Sequence, residues 1–501
     1  MDGFSYVHLN PSVSTAQDHF TRERIAEQRR QRGSHQKSSF LPQDPLAACY
    51  SGYTLSSYPY PLTRTTSGQS SGSNSGGVAQ QQEYYRDGHK RDGSNSYGDM
   101  DSTIAARLPP SSRSSSISTP EQANQNLLSN PFELRHGRRY LRDLPYPLPV
   151  DLAEVHRQNL KTLLKCEAFG GRAVCSPSVK KKAPKKVLEV ACGSGFWSAK
   201  CHEYFTSLGH KNVSFTGLDV APLAPDMRKQ GINWKFVQHD LRRVPWPFED
   251  DSFDFVMLKD TSLVMPLGHA SQKLIDESLR VLAEGGTLEI WETDHVFRSL
   301  LPHPPAVART VLDREAAARL GVFLVLPGTP FTSAQNRFLQ NANGWIQDAL
   351  KKRGLPPTPC TRIAPILYEE SDYLIDIGTL RIAIPLGELR WEKDGSKHSR
   401  STSDAHDSVM SKGKGKISEK SLTPEQASLR QTALLVILQK IESLEPILKE
   451  TSGKNTEEWS HWWASMMSDL LNPAGGAGAT SETLEAGAWW ATKKKPDKKP
   501  S

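Results

Sequence analysis

The residues of this chain that could bind a ligand lie at the end of a short apolar run. Residues 187–198 begin with the pattern of a buried parallel strand and continue into a loop that contains Gly193 and Gly195. The two glycines let the backbone bend sharply and approach a ligand where a β-carbon would collide. Glu189 stands inside the run, where a carboxylate can meet ligand hydroxyls or a charged ligand tail. The pattern therefore predicts a strand, a loop and a helix that together bind a nucleotide-like ligand.

Further strands follow in an order that favours an open parallel sheet. Residues 213–220 form a second apolar run that contains Asp219, about twenty residues beyond the glycine loop, where a carboxylate can accept hydrogen bonds from both hydroxyls of a ribose. Residues 234–241, 248–258 and 285–291 give three more runs. Strands that alternate with helical patterns pair in parallel through right-handed crossovers, and their ligand binds at the carboxyl ends of the strands.

The glycine loop matches a dinucleotide fingerprint poorly, because Ser198 stands where the third small residue, glycine or alanine, is expected. Its spacing resembles instead motif I of class I S-adenosylmethionine-dependent methyltransferases, although Ala191 stands where that family commonly has its first glycine. The resemblance implies S-adenosyl-L-methionine as the cofactor. It also implies an α/β, Rossmann-like fold with a seven-stranded sheet, helical additions at both ends and disordered termini.

The segment before the first of these strands resembles the lead-in of fungal methyltransferases, a group that includes LaeA-type and TAM-like proteins. The Gly-Arg-Arg-Tyr run of residues 137–140 and the Leu-Pro-x-Asp-x-x-Glu run of residues 148–154 carry the likeness. In that group the lead-in folds over the cofactor, which makes Arg139 and Tyr140 candidates for a lid. Alternatively, His136 and the neighbouring arginines form a solvated basic face.

The sequence and the resemblance together assign the residues that would hold the cofactor. The acidic residue and the loop glycines would surround the methionine part, Asp219 the ribose, and residues 239–241 the adenine. The complete set is Glu189, Ala191, Gly193, Gly195, Asp219, Val220, Asp240, Leu241 and Tyr140.

Catalysis would follow from the cofactor, because a sulfonium carries a methyl group that is already activated for attack. The protein then has to align an acceptor with the methyl group and exclude water. A general base is not required. If one acts, the polar residues at the ends of strands four and five are the candidates: Lys259, Asp260, Glu289, Glu292 and Asp294. Among them we place Asp260 near the transfer site, with capping of the following helix as its alternative role.

Two hypotheses of different kinds fit these patterns. The first is S-adenosylmethionine-dependent methyl transfer to an unidentified small-molecule or protein acceptor. The second is a regulatory or scaffold protein of a fungal nuclear complex that has the methyltransferase fold and binds the cofactor without essential turnover. An NAD-dependent oxidoreductase is a third. The acceptor cannot be named from the sequence, because acceptor pockets in this fold are built from variable loops and additions.

Composition divides the chain into segments of different character. With 37% hydrophobic residues in 501 and a mean hydropathy of −0.53, the chain is too polar to be folded throughout. We predict a disordered low-complexity region at 1–125, a methyltransferase domain at 126–392 and a polar linker or loop at 393–420. A C-terminal helical extension at 421–471 and a disordered basic tail at 472–501 would follow. The disordered flanks are where protein partners would bind.

The elements of the second half are less distinct. Strands six and seven are expected near residues 363–367 and 380–384, as the antiparallel hairpin with which the resembled family ends its sheet. Thr423, with a proline after it and a glutamine at the third helical position, predicts the capped start of a helix. Trp459 and Trp462 stand at helical spacing and are expected to pack against the methyltransferase core. A partner surface or a pocket wall is the alternative.

Several other classes of protein are disfavoured. The six cysteines have neither metal-ligand spacing nor a disulfide pattern, so no metal site is expected. The chain has no apolar stretch of about 18 residues and no secretory signal pattern, so we expect no membrane association and a cytoplasmic or nuclear location. The formal net charge of +7 comes partly from residues 180–186 and a lysine-rich tail. Because no aromatic residues are interleaved with these runs, nucleic-acid binding is not expected.

Overall fold

The computed structural model describes residues 120–266, 268–302, 311–392, 422–471 and 481–495. The predicted low-complexity region up to residue 119 and the predicted linker lie outside the described residues. No helix in the described ranges is long and apolar enough to cross a membrane.

The strands of the described residues fall into a small hairpin and one large sheet. In chain order they are β1 Phe132–Arg135, β2 Arg138–Leu141, β3 Lys186–Val190, β4 Ser214–Asp219, β5 Trp234–Gln238, β6 Phe253–Lys259, β7 Leu282–Thr293, β8 Arg298–Leu300, β9 Phe323–Leu324, β10 Phe331–Ser333, β11 Leu374–Pro385 and β12 Glu482–Lys493. The helices are α1 Pro120–Ser129, α2 Leu152–Ala168, α3 Pro177–Lys181, α4 Phe196–Ser207, α5 His269–Val281, α6 Val311–Leu320, α7 Arg337–Lys351, α8 Ile363–Glu369, α9 Pro424–Ser443, α10 Glu445–Ser452 and α11 Thr456–Leu471.

The large sheet has the strand order β5-β4-β3-β6-β7-β12-β11 through its long strands. The first five pair in parallel, and β12 and β11 run antiparallel. The predicted parallel α/β sheet is therefore confirmed. The short strands β8, β9 and β10 pair beyond β12 and β11, which gives ten strands rather than the expected seven.

Apolar side chains cover both faces of the sheet, as the unbroken apolar runs of its strands require. Along β6, Phe255 and Met257 point to one face, where they join the core formed with α2, α4, α7, α9 and α11. Val256 and Leu258 point to the other face and pack with α5 and α8. The result is a three-layer domain whose sheet is buried between two layers of helices.

Strands six and seven correspond only in part to their predicted positions. Residues 380–384 lie in β11, as expected. Residues 363–367 instead belong to α8, where Pro365 stands in the first turn, the part of a helix in which proline is tolerated, and Leu367 is fully buried. The seventh strand is β12, which lies in the predicted basic tail, so residues 482–493 are not disordered. Small residues allow this strand to lie between two neighbours in the interior of the sheet.

The predicted C-terminal helical extension is an insertion between β11 and β12 rather than an addition at the end of the fold. Its first helix, α9, begins with the expected capping box, in which Thr423 and Gln426 bond to each other's backbone N–H groups. Trp459 and Trp462 of α11 are buried, and the ring of Trp462 lies 4.8 Å from that of Trp345 in α7. The predicted packing of this tryptophan face against the core is confirmed.

Helix α1 overlaps the last residues of the region that was predicted to be disordered. It forms because Leu127 is buried with Leu141, Val150, Val220 and Ala221 in a small apolar cluster beside the sheet. The ordered part of the chain therefore begins before residue 126, the predicted boundary.

Gly217 in β4 is expected to be intolerant of any side chain. A β-carbon there would lie 2.3 Å from the ring of Trp234 and 2.7 Å from Cys192 Sγ, neither of which can move without disturbing the core. Gly217→Ala should lower the free energy of unfolding by about 1–3 kcal/mol in urea titrations. Gly344→Ala is the matched control, because this exposed helical glycine has no atom within 4 Å of its β-carbon position; it should gain up to about 1 kcal/mol. Equal effects of the two changes would contradict the packing described.

Removal of residues 481–501 is expected to prevent folding of the domain. Without β12, β7 loses its partner on the side away from β6, and β11 keeps only its short pairing with β9. Exposed strand edges of this kind favour aggregation. Gel filtration and circular dichroism should find the shortened chain aggregated or unfolded, whereas a chain that stops at residue 495 should remain a folded species. A shortened chain that stays monomeric and cooperative on heating would argue against the structural role of β12.

Candidate functional site

A cleft of about 900 Å³, including space open to solvent, lies at the carboxyl ends of β3, β4 and β6. This is where an open parallel sheet binds its ligands. The lead-in residues 141–150 and helix α2 form its other walls. Its lining residues are Leu141, Leu144, Tyr146, Leu148, Val150, Val155, Arg157, Gln158, Lys161, Ala191, Gly193, Ser194, Asp219, Val220, Leu223, Asp240, Leu241, Lys259, Asp260, Leu263 and Val264.

The glycine loop contributes backbone to the floor of the cleft. Ala191 and Gly193 both line it and have positive φ angles of 54° and 53°. This region costs glycine little but strains alanine, and strain of this kind is often found at binding sites. Gly195 does not line the cleft. It caps the start of α4, where a β-carbon would lie 2.6 Å from Met227 Cε. Gly195 is therefore required for packing, and its predicted contact with the cofactor stays a prediction.

Asp219 is the acidic residue at the centre of the cleft. Its Oδ2 accepts a hydrogen bond of 2.8 Å from Gly193 N, and its Oδ1 accepts one of 3.2 Å from Ala221 N. Burial raises the pKa of this carboxyl, against the opposing effect of its backbone N–H partners. Since a carboxylate has about four lone-pair positions, Asp219 can accept further bonds from hydroxyls in the cleft.

Asp240 and Leu241 follow β5, and Val220 follows β4. All three residues line the cleft. Both carboxylate oxygens of Asp240 are bound by the guanidinium of Arg242, at 2.9 Å and 2.7 Å. The carboxylate is therefore partly occupied by the protein itself. Val220 and Leu241 give this side of the cleft apolar surface that suits a planar base.

Glu189 lies outside the lining of the cleft, and its predicted contact with the cofactor stays a prediction. Its Oε2 accepts hydrogen bonds from Ser198 N at 3.2 Å and from Ser198 Oγ at 2.7 Å, so it binds the first turn of α4. The side chain is fully buried, and burial raises its pKa to about 7. A residue within a strand points to one face of the sheet, whereas the cleft lies beyond the strand ends.

Tyr140 is also absent from the lining, and Tyr146 lies there instead. The ring of Tyr140 is buried beneath the guanidinium of Arg135, 4.5 Å away. The Tyr146 hydroxyl accepts a hydrogen bond of 2.7 Å from Gln158 Nε2. Arg139, the other lid candidate, donates to Val150 O at 2.9 Å and so fixes the lead-in rather than contacting the cleft.

The charged residues of the lead-in mostly bind one another. Arg138 donates two hydrogen bonds to Asp151, at 2.7 Å and 2.8 Å, and thereby joins β2 to the start of α2. One turn later, Arg157 donates to both oxygens of Glu154, at 2.8 Å and 2.6 Å, with both side chains buried. The two sequence motifs of the lead-in are thus two halves of one polar framework that holds α2 over the cleft.

Asp260 lines the cleft at the end of β6, where three lysines surround it. Its carboxylate oxygens lie 3.0 Å from Lys161 Nζ, 3.0 Å from Lys165 Nζ and 3.9 Å from Lys259 Nζ. Burial alone would raise the pKa of Asp260, yet the three ammonium groups hold it well below its usual range. A carboxylate of such low basicity is unsuited to act as a general base.

The other candidate bases lie on β7 or directly after it, and they form hydrogen bonds outside the cleft. Glu289 accepts hydrogen bonds from Cys175 N and Ser176 N, and Glu292 accepts from Ser262 N and Oγ. Asp294 accepts from Cys360 N. None of the three lines the cleft. Sequence reasoning instead missed the cleft face of α2, where Arg157, Gln158 and Lys161 recur at helical spacing. The helical spacing of these residues is the sequence signal that could have indicated this face.

Comparison with known proteins finds a family model that matches one part of the chain. Residues 187–286 match the family model described as a methyltransferase domain. The likeness to a methyltransferase domain is therefore shown for this segment of the chain. The segment contains the glycine loop, Asp219 and Asp240, and it ends shortly before the candidate bases on β7. Within the described ranges, no group of three or more His, Cys, Asp or Glu residues could hold a metal ion.

Two curated proteins are similar in sequence to part of the chain. Methyltransferase str2 of Strobilurus tenacellus is 30% identical over 142 residues, which is 28% of this chain and 47% of that protein. Demethylmenaquinone methyltransferase of Tropheryma whipplei is 29% identical over 168 residues, 32% of this chain and 63% of that protein. The chain thus spans less than two thirds of each. Among solved structures, phosphoethanolamine N-methyltransferase 2 of Haemonchus contortus matches 68% of this chain and 52% of its own, at 13% identity and a TM-score of 0.29.

The buried carboxyl of Glu189 predicts a pH dependence of stability. Its folded pKa of about 7 exceeds the ordinary 4.5, so its favourable contribution is present below pH 4.5 and is lost as the pH rises through 7. Glu189→Gln removes this titration and can still accept the bonds from Ser198. Urea titrations should find the variant gaining stability over wild type between pH 5 and pH 8. The exposed Glu203→Gln is the control and should show a constant difference. A constant difference for Glu189→Gln as well would disprove the assignment.

Proposed function

We propose that this protein transfers a methyl group from S-adenosyl-L-methionine to a small-molecule or protein acceptor. The observation that carries the proposal is the bond between Gly193 N and Asp219 Oδ2, which joins the ends of two adjacent parallel strands at the floor of the cleft. It lies within the segment that matches a methyltransferase domain. The two curated proteins that are similar to part of the chain are methyltransferases by name.

The cleft fits the proposed cofactor in polarity as well as in position. Asp219 would bind the ribose hydroxyls with its remaining acceptor positions. Val220 and Leu241 would lie against the adenine, with Asp240 at its edge. Ala191 and Gly193 would lie beneath the methionine part, because their backbone lines the floor without a large side chain. Glu189, Gly195 and Tyr140 would support this site from outside it.

When bound, the cofactor supplies a methyl group on a positively charged sulfur. The chain would then act by position: the apolar residues Leu144, Leu148, Leu263 and Val264 line the cleft and would exclude water from the transferring group. Asp260 would not remove a proton, because the lysines around it lower its pKa and make it a weak base. Its role would be to hold the ammonium groups of Lys161 and Lys165 in place.

Methyl transfer and a regulatory or scaffold role differ in turnover, not in binding. A regulatory protein with this fold would also use the cleft for the cofactor. No feature of the described residues favours it over methyl transfer. The cleft is open to solvent, so an acceptor can enter it. Apolar residues would surround the methyl group during transfer, and such walls suit an organic acceptor.

Binding of S-adenosylhomocysteine to the full chain tests the proposal. Isothermal titration should give binding of this product and of S-adenosylmethionine, and no comparable binding of NAD. Asp219→Ala should weaken both by about 5- to 150-fold, or about 1–3 kcal/mol, because two hydrogen bonds to a carboxylate are lost. Asp226→Ala is the matched control, since Asp226 is exposed and pairs only with Arg228 among the described residues. Unchanged affinity in a folded Asp219 variant would refute the site.

A further inference from the structure

A further cavity, which we call the α5–α8 cavity, lies beside the turn Thr261–Leu263 that follows β6. It occupies about 610 Å³, including space open to solvent. Asp260 and Leu263 line the cleft, whereas Thr261 and Ser262 line the α5–α8 cavity. The two cavities therefore meet at one turn but have no lining residue in common.

Most of the wall of the α5–α8 cavity is apolar. Strands β6 and β7 contribute one side of it, and helices α5 and α8 contribute the others. The apolar residues that line it include Leu258, Leu274, Ile275, Ile290, Ile363 and Ile366. Sites for small molecules are usually concave and mostly apolar, with a volume of about 300–1,000 Å³ and a few polar groups that orient the ligand. The cavity therefore suits the apolar body of a small molecule.

The hydroxyl groups that line the cavity have already used their protons. Ser262 Oγ donates to Glu292 Oε2 at 2.8 Å, and Ser271 Oγ donates to Gly268 O at 2.7 Å. Thr261 Oγ1 lies 3.5 Å from Glu292 Oε1 and donates to it more weakly. A hydroxyl has one proton and two lone pairs, so these three groups can offer a ligand only lone pairs.

The carboxylate of Glu292 adds further lone pairs to the same end of the cavity. Glu292 lines the cavity although its side chain is only 1% exposed. Besides the two hydroxyls, it accepts a hydrogen bond of 2.9 Å from Ser262 N. Because a carboxylate has about four lone-pair positions, Glu292 can accept one more bond. The buried polar end of the cavity thus consists of hydrogen-bond acceptors.

Two residues behind Ser262 fix the direction of its hydroxyl proton. Lys440 Nζ lies 2.8 Å from His295 Nδ1, and His295 Nε2 lies 3.3 Å from Ser262 Oγ. Burial and the neighbouring Lys440 lower the pKa of His295 well below its usual range, so the ring is neutral and has one N–H.

These contacts assign every proton of the chain. Since Lys440 Nζ donates to Nδ1, the ring proton is on Nε2 and is donated to Ser262 Oγ. Ser262 then donates its own proton to Glu292. Bonds to a carboxylate are stronger than bonds between neutral groups, so Ser262 does not turn its proton into the cavity.

We propose that the α5–α8 cavity binds a small apolar molecule that carries a hydrogen-bond donor, such as an alcohol. The apolar body lies against Ile290 and Ile366, and the hydroxyl donates to Ser262 or Glu292. A molecule that offers only acceptors would leave its own oxygen facing lone pairs. Arg362 also lines the cavity, but it is exposed to water and is not part of the buried end. This site is distinct from the cofactor cleft, and the proposal does not depend on methyl transfer.

The probes are trans-4-tert-butylcyclohexanol, which has an O–H donor, and 4-tert-butylcyclohexanone, which has the same apolar body and only an acceptor. Each is titrated calorimetrically into the full chain at about pH 8, where Glu292 is ionised because burial raises its pKa to about 7. Wild type should bind the alcohol at least about tenfold more tightly than the ketone, because only the alcohol can bond to the carboxylate.

Two variants test the place and the polarity of the site. Ile366→Trp fills the cavity and should abolish binding of both probes. Ile375→Trp is its control, because Ile375 is 43% exposed and does not line the cavity. Glu292→Gln introduces an amide N–H donor, so the preference for the alcohol should fall below about threefold. The exposed Glu203→Gln should keep the tenfold preference. Circular dichroism checks that each variant is folded.

Each remaining outcome counts against the proposal. Failure of wild type to bind the alcohol, equal binding of alcohol and ketone, or unchanged binding by folded Ile366→Trp would overturn it. Displacement of the alcohol by S-adenosylhomocysteine would place the probe in the cofactor cleft and would overturn it as well. Failure of wild type to bind S-adenosylhomocysteine would refute the proposed function instead, so the two failures are distinguishable.

Discussion

The backbone ladder of β12 is the interaction on which the rest of the domain depends. This strand pairs with β7 on one side and with β11 on the other, so it closes the sheet between segments that are far apart in the chain. It also carries two buried carboxylates. Glu482 accepts hydrogen bonds from Gln335 N and Asn336 N at the start of α7. Glu485 accepts hydrogen bonds from Nε and Nη2 of Arg298. One strand thus fixes the sheet, a helix and a neighbouring strand together.

The walls of the cleft depend on this closure through the inserted helices. Helix α9 lies in the insertion between β11 and β12 and packs against α2, which bears the cationic side chains of the cleft. Lys440 of α9 lies 2.8 Å from His295 Nδ1, and burial lowers the pKa of this lysine well below its usual range. Both groups are buried beside Arg157 and Lys161. The insertion therefore contributes buried ionisable groups to the surroundings of the site as well as covering the sheet.

Features that depend on the position of a residue along a strand could be predicted from the sequence. Gly193, Asp219 and Asp240 follow apolar runs, so the geometry of a parallel sheet places them at one edge. The direction of a side chain is less visible, so the sequence does not indicate that Glu189 and Tyr140 are buried outside the lining of the cleft. The helical spacing of Arg157 and Lys161 shows that they share one face of α2. The sequence does not indicate that this face, rather than another, covers the cleft.

The largest error, the assignment of β12 to a disordered tail, has a physical cause. Gly487 and its alanine neighbours lack the bulky residues by which strands are recognised. In the structure their small size is required, because a β-carbon on Gly487 would lie 2.3 Å from the ring of Trp489. The glycine makes room for an indole that is itself fully buried. Composition alone cannot distinguish such a strand from a flexible segment.

The place of β12 in the chain also constrains how the protein can be made. It follows every other described element in sequence, yet it lies inside the sheet rather than at its edge. During synthesis on the ribosome, β7 and β11 emerge long before the strand that pairs between them, and both edges stay open until translation has passed residue 493. Long-range pairing of this kind is slow and exposes the nascent chain to association with other chains. The cell's chaperones would therefore meet this protein with its sheet still divided into two parts.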